Sequence, residues 1–385
     1  TVTLSPTSYT YDGGAKTPTA TVKDGNTTLT LNTHYTVTYS NNINAGTATA
    51  TITGKGNYTG TKAVNFTINK RTLTVKADAK SKTYGAGDPG LTYTYSNQVS
   101  GQTPKFSGAL SRDAGENVGT YAIKQNTLAL ADNSPFLANN YTLAYTGANL
   151  TINRAATATA AAANKTYNGS SQTGVTGSYV SWGGTTAGID AGSYTATATP
   201  DGNHAWSDGT TAAKSITWTM SAKGVAVTWG TTTTFTYNGR AQAPSASATT
   251  GVTGETMAVT RTTGTNAGSY TSTASCSSVT GGRAKCSNYT LTGNTKAFSI
   301  ERASMTAPSS PSDKNYTGKE QVSGITCPTG STAGGMQKAT NAGTYKQTCT
   351  PDGNHKWSDG TTTAKSITWV INKIAATLTC SNKTY

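Results

Sequence analysis

Side chains able to do chemistry are sparse in this chain of 385 residues, and their spacing does not suit catalysis. The three histidines, His34, His204 and His355, stand far apart. Asp and Glu are few and scattered, and no Ser/His/Asp triad that would activate a nucleophile is expected to assemble within one module. No phosphate loop, zinc-protease helix or nucleophile elbow occurs. The expectation is a protein that is not an enzyme and takes no cofactor.

One local constellation occurs twice. Pro200-Asp201-Gly202-Asn203-His204-Ala205-Trp206-Ser207-Asp208-Gly209 returns as Pro351-Asp352-Gly353-Asn354-His355-Lys356-Trp357-Ser358-Asp359-Gly360, identical at nine of ten positions. Two readings fit. As a ligand loop, Trp206 and Trp357 would stack on a sugar ring, with Asp201, Asp208, Asp352 and Asp359 as acceptors or hard-cation ligands. As structure, the Asp-Gly pairs make turns and the tryptophan packs on the rim of a core. Calcium takes six or more oxygens, and each loop supplies two Asp and one Asn, so no metal is expected. Exposure of both rings would support the sugar reading, and burial of both would remove it.

The elements that position these loops are repeated. A tyrosine followed by a turn occurs at Tyr11, Tyr84, Tyr167, Tyr237 and Tyr316, and a sixth copy begins with Lys383-Thr384-Tyr385. A Gly followed by Thr or Ser occurs at Gly46, Gly119, Gly192, Gly268 and Gly343, each opening a stretch of alternating residues such as Tyr194-Thr195-Ala196-Thr197-Ala198. Period-two alternation is a strand signal, and the Gly marks its turn. An Asn follows at Asn57, Asn140, Asn203, Asn288 and Asn354. Each unit then closes on an apolar pair two residues apart, such as Phe66 and Ile68 or Ile216 and Trp218, which places both side chains on one face. Gly and Asn are 11 residues apart in the first, third and fifth units but 21 and 20 apart in the second and fourth, so those two carry an insertion of roughly ten residues, as surface loops tolerate.

These anchors predict an all-β chain, a tandem array of five small modules, immunoglobulin-like sandwiches or β-grasp-like rolls, forming an elongated rod. The segments are 1–70, 71–154, 155–222, 223–301 and 302–373, with 374–385 as the start of a truncated sixth. Composition agrees. With 34% hydrophobic residues, one large core is not expected, and the abundance of Thr, Gly and Asn favours short strands and turns. The net charge of +14 is spread singly along the chain, as at Lys23, Lys55, Lys105, Lys223 and Arg283, with no dense basic run, so nucleic acid is not an expected partner. No apolar run is long enough to span a membrane as a helix.

The cysteines sort by segment. The first three have none, the fourth has Cys276 and Cys286, the fifth has Cys327 and Cys349, and Cys380 follows. Cys276 and Cys286 bracket the Gly281-Gly282 turn; Cys327 and Cys349 fall where the third segment has Ser178 and Ala198. Two disulfides within segments are expected, with free buried thiols as the alternative, and Cys380 would pair in the remainder of a sixth segment. Persistent disulfides belong to an oxidising compartment outside the cytoplasm. No Lys, Asn and acid recur together in equivalent positions, so no amide crosslink is expected.

The second segment carries a resemblance. Ser81-Lys82-Thr83-Tyr84-Gly85 with Asp88-Pro89, then Gly108-Ala109-Leu110-Ser111-Arg112, then Ala114-Gly115-Glu116-Asn117-Val118-Gly119-Thr120-Tyr121, and Asn140-Tyr141-Thr142 to Ile152 resemble the YGX-type MBG domain of bacterial surface proteins and adhesins. The other segments resemble it more loosely, through their Lys-Thr-Tyr and Asn-Ala-Gly-Thr-Tyr elements. The resemblance implies repeated β-rich modules in a long exported chain, on the cell surface or secreted. The functional expectation is a non-catalytic stalk or adhesin-repeat segment projecting a functional tip, whose partners are neighbouring repeats of the same chain. The alternatives are repeats that themselves bind cell-envelope or host glycans, and a subunit of a self-assembling extracellular fibre.

Overall fold

The computed structural model describes residues 1–282 and 285–377. Cys380, and the sixth tyrosine anchor at Lys383-Thr384-Tyr385, lie outside the described residues. The chain is all-β, a succession of β-sandwich modules; among the described residues the helical elements are two single 3-10 turns, Ala138–Asn140 and Cys286–Asn288. Cα packing divides it into two compact units. The first comprises Thr1–Ala160, Gly177–Trp182 and Thr197–Lys214; the second comprises Ala161–Thr176, Gly183–Ala196 and the described part of Ser215–Tyr385. The division passes through the third segment.

Alternation in sequence becomes alternation in burial. In Gly46–Gly54, Ala48, Ala50 and Ile52 face inward while the threonines between them face out. Small inward residues on this strand leave room for the larger pair on the closing strand: Phe66 and Ile68, Leu150 and Ile152, Trp218 and Met220, Phe298 and Ile300, Trp369 and Ile371 are all buried. Trp218 lies so close that a Cβ on Gly174 would fall 1.9 Å from its ring, which fixes that position as glycine.

One sheet pattern recurs. In the first segment, Ser8–Thr10 runs parallel to the closing strand Thr61–Asn69, which is antiparallel to Gly46–Gly54, which is antiparallel to Tyr35–Ser40. The second, fourth and fifth segments keep the same four-strand order. Register is kept too: the anchor glycine faces the last isoleucine of the closing strand in the pairs Gly46–Ile68, Gly119–Ile152, Gly268–Ile300 and Gly343–Ile371. The anchor tyrosine donates its N–H to the last closing-strand carbonyl at Tyr11 to Asn69, Tyr84 to Asn153, Tyr167 to Ser221, Tyr237 to Glu301 and Tyr316 to Asn372. Tyrosine and glycine anchors, far apart in sequence, therefore meet at the end of each segment where the chain leaves it.

The Asn anchor lies at the other end. The first residue of a segment, or in the fifth segment the second, pairs in parallel with the residue after that segment's Asn: Arg71 with Tyr141, Ala155 with His204, Lys223 with Tyr289 and Ala303 with His355. A single residue separates the closing strand Thr61–Asn69 from the strand opening at Arg71, and another separates Thr295–Glu301 from Ala303. So short a link brings the exit end of one segment against the Asn end of the next.

Candidate functional site

The duplicated loops do not form a sugar platform. Trp206 is 3% exposed and Trp357 is 1% exposed. Each indole N–H is satisfied inside its own loop, by the Ala212 carbonyl at 2.8 Å and the Thr363 carbonyl at 2.9 Å. Of the two readings of these rings, burial favours the structural one, in which the tryptophan packs on the core. The four acids are turn formers. Asp208 accepts from the Thr210 N–H at 2.9 Å and Asp359 from the Thr361 N–H at 2.9 Å, and the threonine hydroxyls bond the same carboxylates. Asp201 accepts from the Asn203 N–H and meets His204 Nδ1 at 2.6 Å; Asp352 does the same with Asn354 and, at 2.7 Å, His355. The hydrogen bond from His204 holds the Asp201 carboxyl below the usual range. The loop thus shapes a turn, and that turn presents Asn203 or Asn354.

Those asparagines make the recurring contact of the molecule. Asn140 Oδ1 accepts the Ala45 N–H at 2.7 Å and its amide donates to Asn44 at 2.9 Å. Asn203 takes the Val118 N–H and donates to Asn117, both at 2.9 Å. Asn288 takes the Ala191 N–H at 2.8 Å and donates to Asp190 at 3.0 Å. Asn354 takes the Ala267 N–H at 2.7 Å and donates to Asn266 at 3.1 Å. In each case the receptor is the dipeptide before the anchor glycine of the preceding segment. The residue after the Asn then meets the preceding segment's anchor tyrosine edge-on: Tyr141 to Tyr11 at 5.5 Å, His204 to Tyr84 at 5.2 Å, Tyr289 to Tyr167 at 5.4 Å and His355 to Tyr237 at 5.3 Å. An edge-to-face aromatic pair beside two amide hydrogen bonds fixes both distance and orientation.

The receptor is shaped in advance. Where the anchor reads Gly-Thr/Ser-Tyr, the tyrosine hydroxyl turns back onto the loop, from Tyr121 to the Asn117 carbonyl at 2.8 Å, Tyr194 to Asp190 at 2.6 Å, Tyr270 to Asn266 at 2.7 Å and Tyr345 to Asn341 at 2.6 Å. In the second segment an ion-pair network adds to this. Lys82, whose side chain is 4% exposed, meets Asp88 and Glu116, and Arg112 meets the same two acids while donating to the Asp113 and Gly115 carbonyls. Hydrogen bonds from Arg112 and then Lys82 bring Asp88 down to about 2, and those acids raise Lys82. An amide bond between Lys82 and Asp88 would need a neutral amine and a protonated carboxyl, and the network favours the opposite states. Its role is to pin the loop that carries Asn117 and Val118.

Two sets of functional residues escape the sequence reading. Gln102 joins the two tyrosines of one junction, donating to Tyr11 at 2.8 Å and accepting from Tyr141 at 2.7 Å. Glu255 holds the same place in another, accepting from Tyr167 at 2.6 Å and from Tyr289. Their signal is a pair of short motifs, Val99-Ser100-Gly101-Gln102 and Val252-Thr253-Gly254-Glu255, whose valines pack on the turn glycines Gly13 and Gly169.

Cys276 and Cys286 are bonded, Cα atoms 5.7 Å apart, as are Cys327 and Cys349 at 5.6 Å. Cys286 opens the 3-10 turn that ends on Asn288, so the first bond ties down a clasp residue. Cys349 is fully buried beside Trp357 and Ile367. Among the described residues no group of three or more His, Cys, Asp or Glu is placed to hold a metal ion, and no helix is long and apolar enough to cross a membrane.

No curated protein matches the chain. Among solved structures it is similar to protocadherin gamma B2 extracellular cadherin domains 3–6, at 8% identity over 98% of this chain and 100% of that one, with a TM-score of 0.19. It is also similar to PcdhgB3 EC1–4, at 8% identity over 86% of this chain and 83% of that one, with a TM-score of 0.18. At those scores neither likeness bears on how this chain works. Residues 73–151, the stretch that supplies Lys82, Asp88, Arg112, Glu116, Asn117 and Asn140, match the family of the MBG domain (YGX type), a repeat of surface proteins.

Proposed function

We propose that this chain is a non-catalytic stalk segment of an exported surface protein, in which each β module is locked onto the next so that a distal part is held away from the cell. The observation that carries this reading is the clasp. Four successive Asn side chains grip the dipeptide before the preceding glycine anchor with the same pair of hydrogen bonds. A chain whose repeats only needed to be tethered would not require the same bonds each time. The match of residues 73–151 to a surface-protein repeat supports an extracellular location, and the two disulfides agree with an oxidising compartment. Burial of Trp206 and Trp357 leaves the glycan-binding alternative without its ring platform.

Backbone 15N relaxation of the whole chain tests the proposal. Neighbouring segments are expected to share one tumbling time, and Asn203→Ala or Asn288→Ala to loosen only its own junction. Independent tumbling of segments in the unsubstituted chain would overturn the stalk reading.

A further inference from the structure

We infer that the strand Tyr35–Ser40 of the first segment pairs edge to edge with the same strand of a second copy of the chain. It is the outer strand of its four-strand sheet, joined on one side to Gly46–Gly54. The Tyr35 carbonyl accepts the Asn32 N–H at 2.7 Å, so it faces away from that neighbour. Val37 and Tyr39, two and four residues on, face the same way. Among the described residues their N–H and C=O groups have no backbone partner on that side. A groove of about 520 Å³ runs beside them, rimmed by Pro18, Leu31 and Asn32. The Tyr35 and Tyr39 hydroxyls donate to the Ala20 and Pro18 carbonyls at 2.7 and 2.6 Å, so the strand is held in place before any partner arrives.

The corresponding outer strands of the other segments are protected. In the second it is Ser111–Arg112, two residues long, with Arg112 in the ion-pair network. In the fourth, Thr256–Arg261 carries a bulge between Ala258 and Val259 and ends on an arginine. In the third and fifth, Val180–Gly184 and Ser331–Gly335 end on glycines at φ 69°. Short length, charge and bulges keep sheet edges from pairing. Tyr35–Ser40 has none of these. It is six residues long in unbroken register, no Asp, Glu, Lys or Arg occurs from Gly25 to Gly54, and no charged residue lines the groove. In a chain of net charge +14, two copies can meet here without like charges facing each other. The strand also fits itself. Antiparallel pairing centred on Thr38 joins Val37 of each copy to Tyr39 of the other, which satisfies all four free groups of both strands. It sets Thr38 against Thr38, a favourable cross-strand pair.

The strand runs from the Asn end of its segment, where the Lys55 N–H bonds the His34 carbonyl at 2.9 Å, toward the receptor dipeptide Asn44-Ala45. Antiparallel pairing therefore sets the two first segments in opposite directions. The patch is the same on both copies, so the contact closes as a pair and does not propagate. Stalks on one surface run the same way, so the contact suits stalks that project from two facing surfaces. That last step rests on the stalk reading; the pairing itself does not.

A contact of four hydrogen bonds is weak, and association belongs at about 0.1–1 mM protein. Sedimentation of the whole chain in about 0.15 M salt, with Cys380→Ser to remove disulfide-linked species, should give a mass rising from 39.4 kDa toward a dimer over that range. Thr38 is exposed, and Thr38→Lys and Thr38→Glu should each weaken association about ten-fold, because each sets like charges face to face. An equimolar mixture of the two variants should restore it, with opposite charges facing. A single species at 39.4 kDa up to about 1 mM, association that Thr38→Lys leaves unchanged, or a mixture that stays monomeric would each overturn the inference. Those results would leave the internal clasps untouched. Independent tumbling of segments would instead remove the stalk reading and leave the pairing standing.

Discussion

The junctions made by Tyr141 and Tyr289 and those made by His204 and His355 share the Asn clasp but are held in different ways. In the first kind, the incoming segment supplies a Gln or Glu that bonds both tyrosine hydroxyls, and Tyr11, Tyr141, Tyr167 and Tyr289 are all buried. In the second kind the ring is held from its own loop, by Asp201 or Asp352, and the receiving Tyr84 and Tyr237 are only half-buried. The first kind occurs where the incoming segment has the longer Gly-to-Asn connection, and the second where it has the compact Asp-Gly-Asn-His loop. A longer loop frays more easily and is tied at more points. Phe136, fully buried and stacked on Tyr141 at 4.7 Å, ties one; the Cys276–Cys286 bond ties the other. The constant part of the junction is thus the Asn, and the aromatic beside it follows from how its turn is built.

The largest expected effect breaks one tie of the first kind. Phe136→Ala removes a fully buried ring and should cost about 3–5 kcal/mol of the first unit's stability in urea unfolding. Reduction of Cys276–Cys286 should cost about 2–4 kcal/mol in the second unit. Each change should raise amide exchange at its own receptor only, Ala45 in the first case and Ala191 in the second. Exchange rising at both receptors in either case would mean that the two tyrosine junctions are not held separately.

A smaller effect separates the two kinds of junction directly. Asn288 is fully buried, and Asn288→Ala leaves the Ala191 N–H without its acceptor, at a cost of about 1–3 kcal/mol. Asn354 is half-buried, and water can replace it at Ala267, so Asn354→Ala should cost about 0.5–1.5 kcal/mol. Equal costs in thermal unfolding would show that burial of the Asn adds nothing to its bonds.

Much of this was legible in the chain. The Gly-led alternation gave strands such as Gly46–Gly54 and Gly343–Pro351, and the closing apolar pairs gave the core. The clasp was not legible, because its halves are remote: Asn140 meets Ala45 across 95 residues and Asn288 meets Asp190 across 98. Local propensity carries no information about such pairs. The available signal was that an Asn or Asp precedes every anchor glycine by two positions while an Asn heads every final hairpin, a doubled regularity that turn chemistry alone does not require. Trp206 and Trp357 left two readings open for a different reason. A tryptophan flanked by Asp-Gly turns resembles an exposed ligand loop until its N–H is seen to find a carbonyl six residues on, which allows full burial.

The smallest expected effect concerns the difference between Gln102 and Glu255. Burial, then the hydrogen bond to Glu255, pushes Tyr167 up to about 12, and the same causes raise Tyr289. A tyrosine with a raised folded value stabilises the fold fully below its unfolded value of about 10 and loses that contribution as pH rises through the folded value. The Tyr167–Glu255–Tyr289 junction should therefore hold at neutral pH and loosen between about pH 10 and 12. Glu255→Gln copies the Gln102 arrangement. It removes the carboxylate that opposes a tyrosinate while keeping an acceptor and gaining a donor. Tyr167 should then ionise closer to its ordinary range, kept above it by burial alone, with the neutral-pH junction intact because Gln102 already serves two tyrosines. Absorbance at an ultraviolet wavelength specific to tyrosinate, titrated for the whole chain and for Glu255→Gln, measures this. If the alkaline limb is unchanged by the substitution, burial alone governs Tyr167, and Glu255 and Gln102 are electrostatically equivalent.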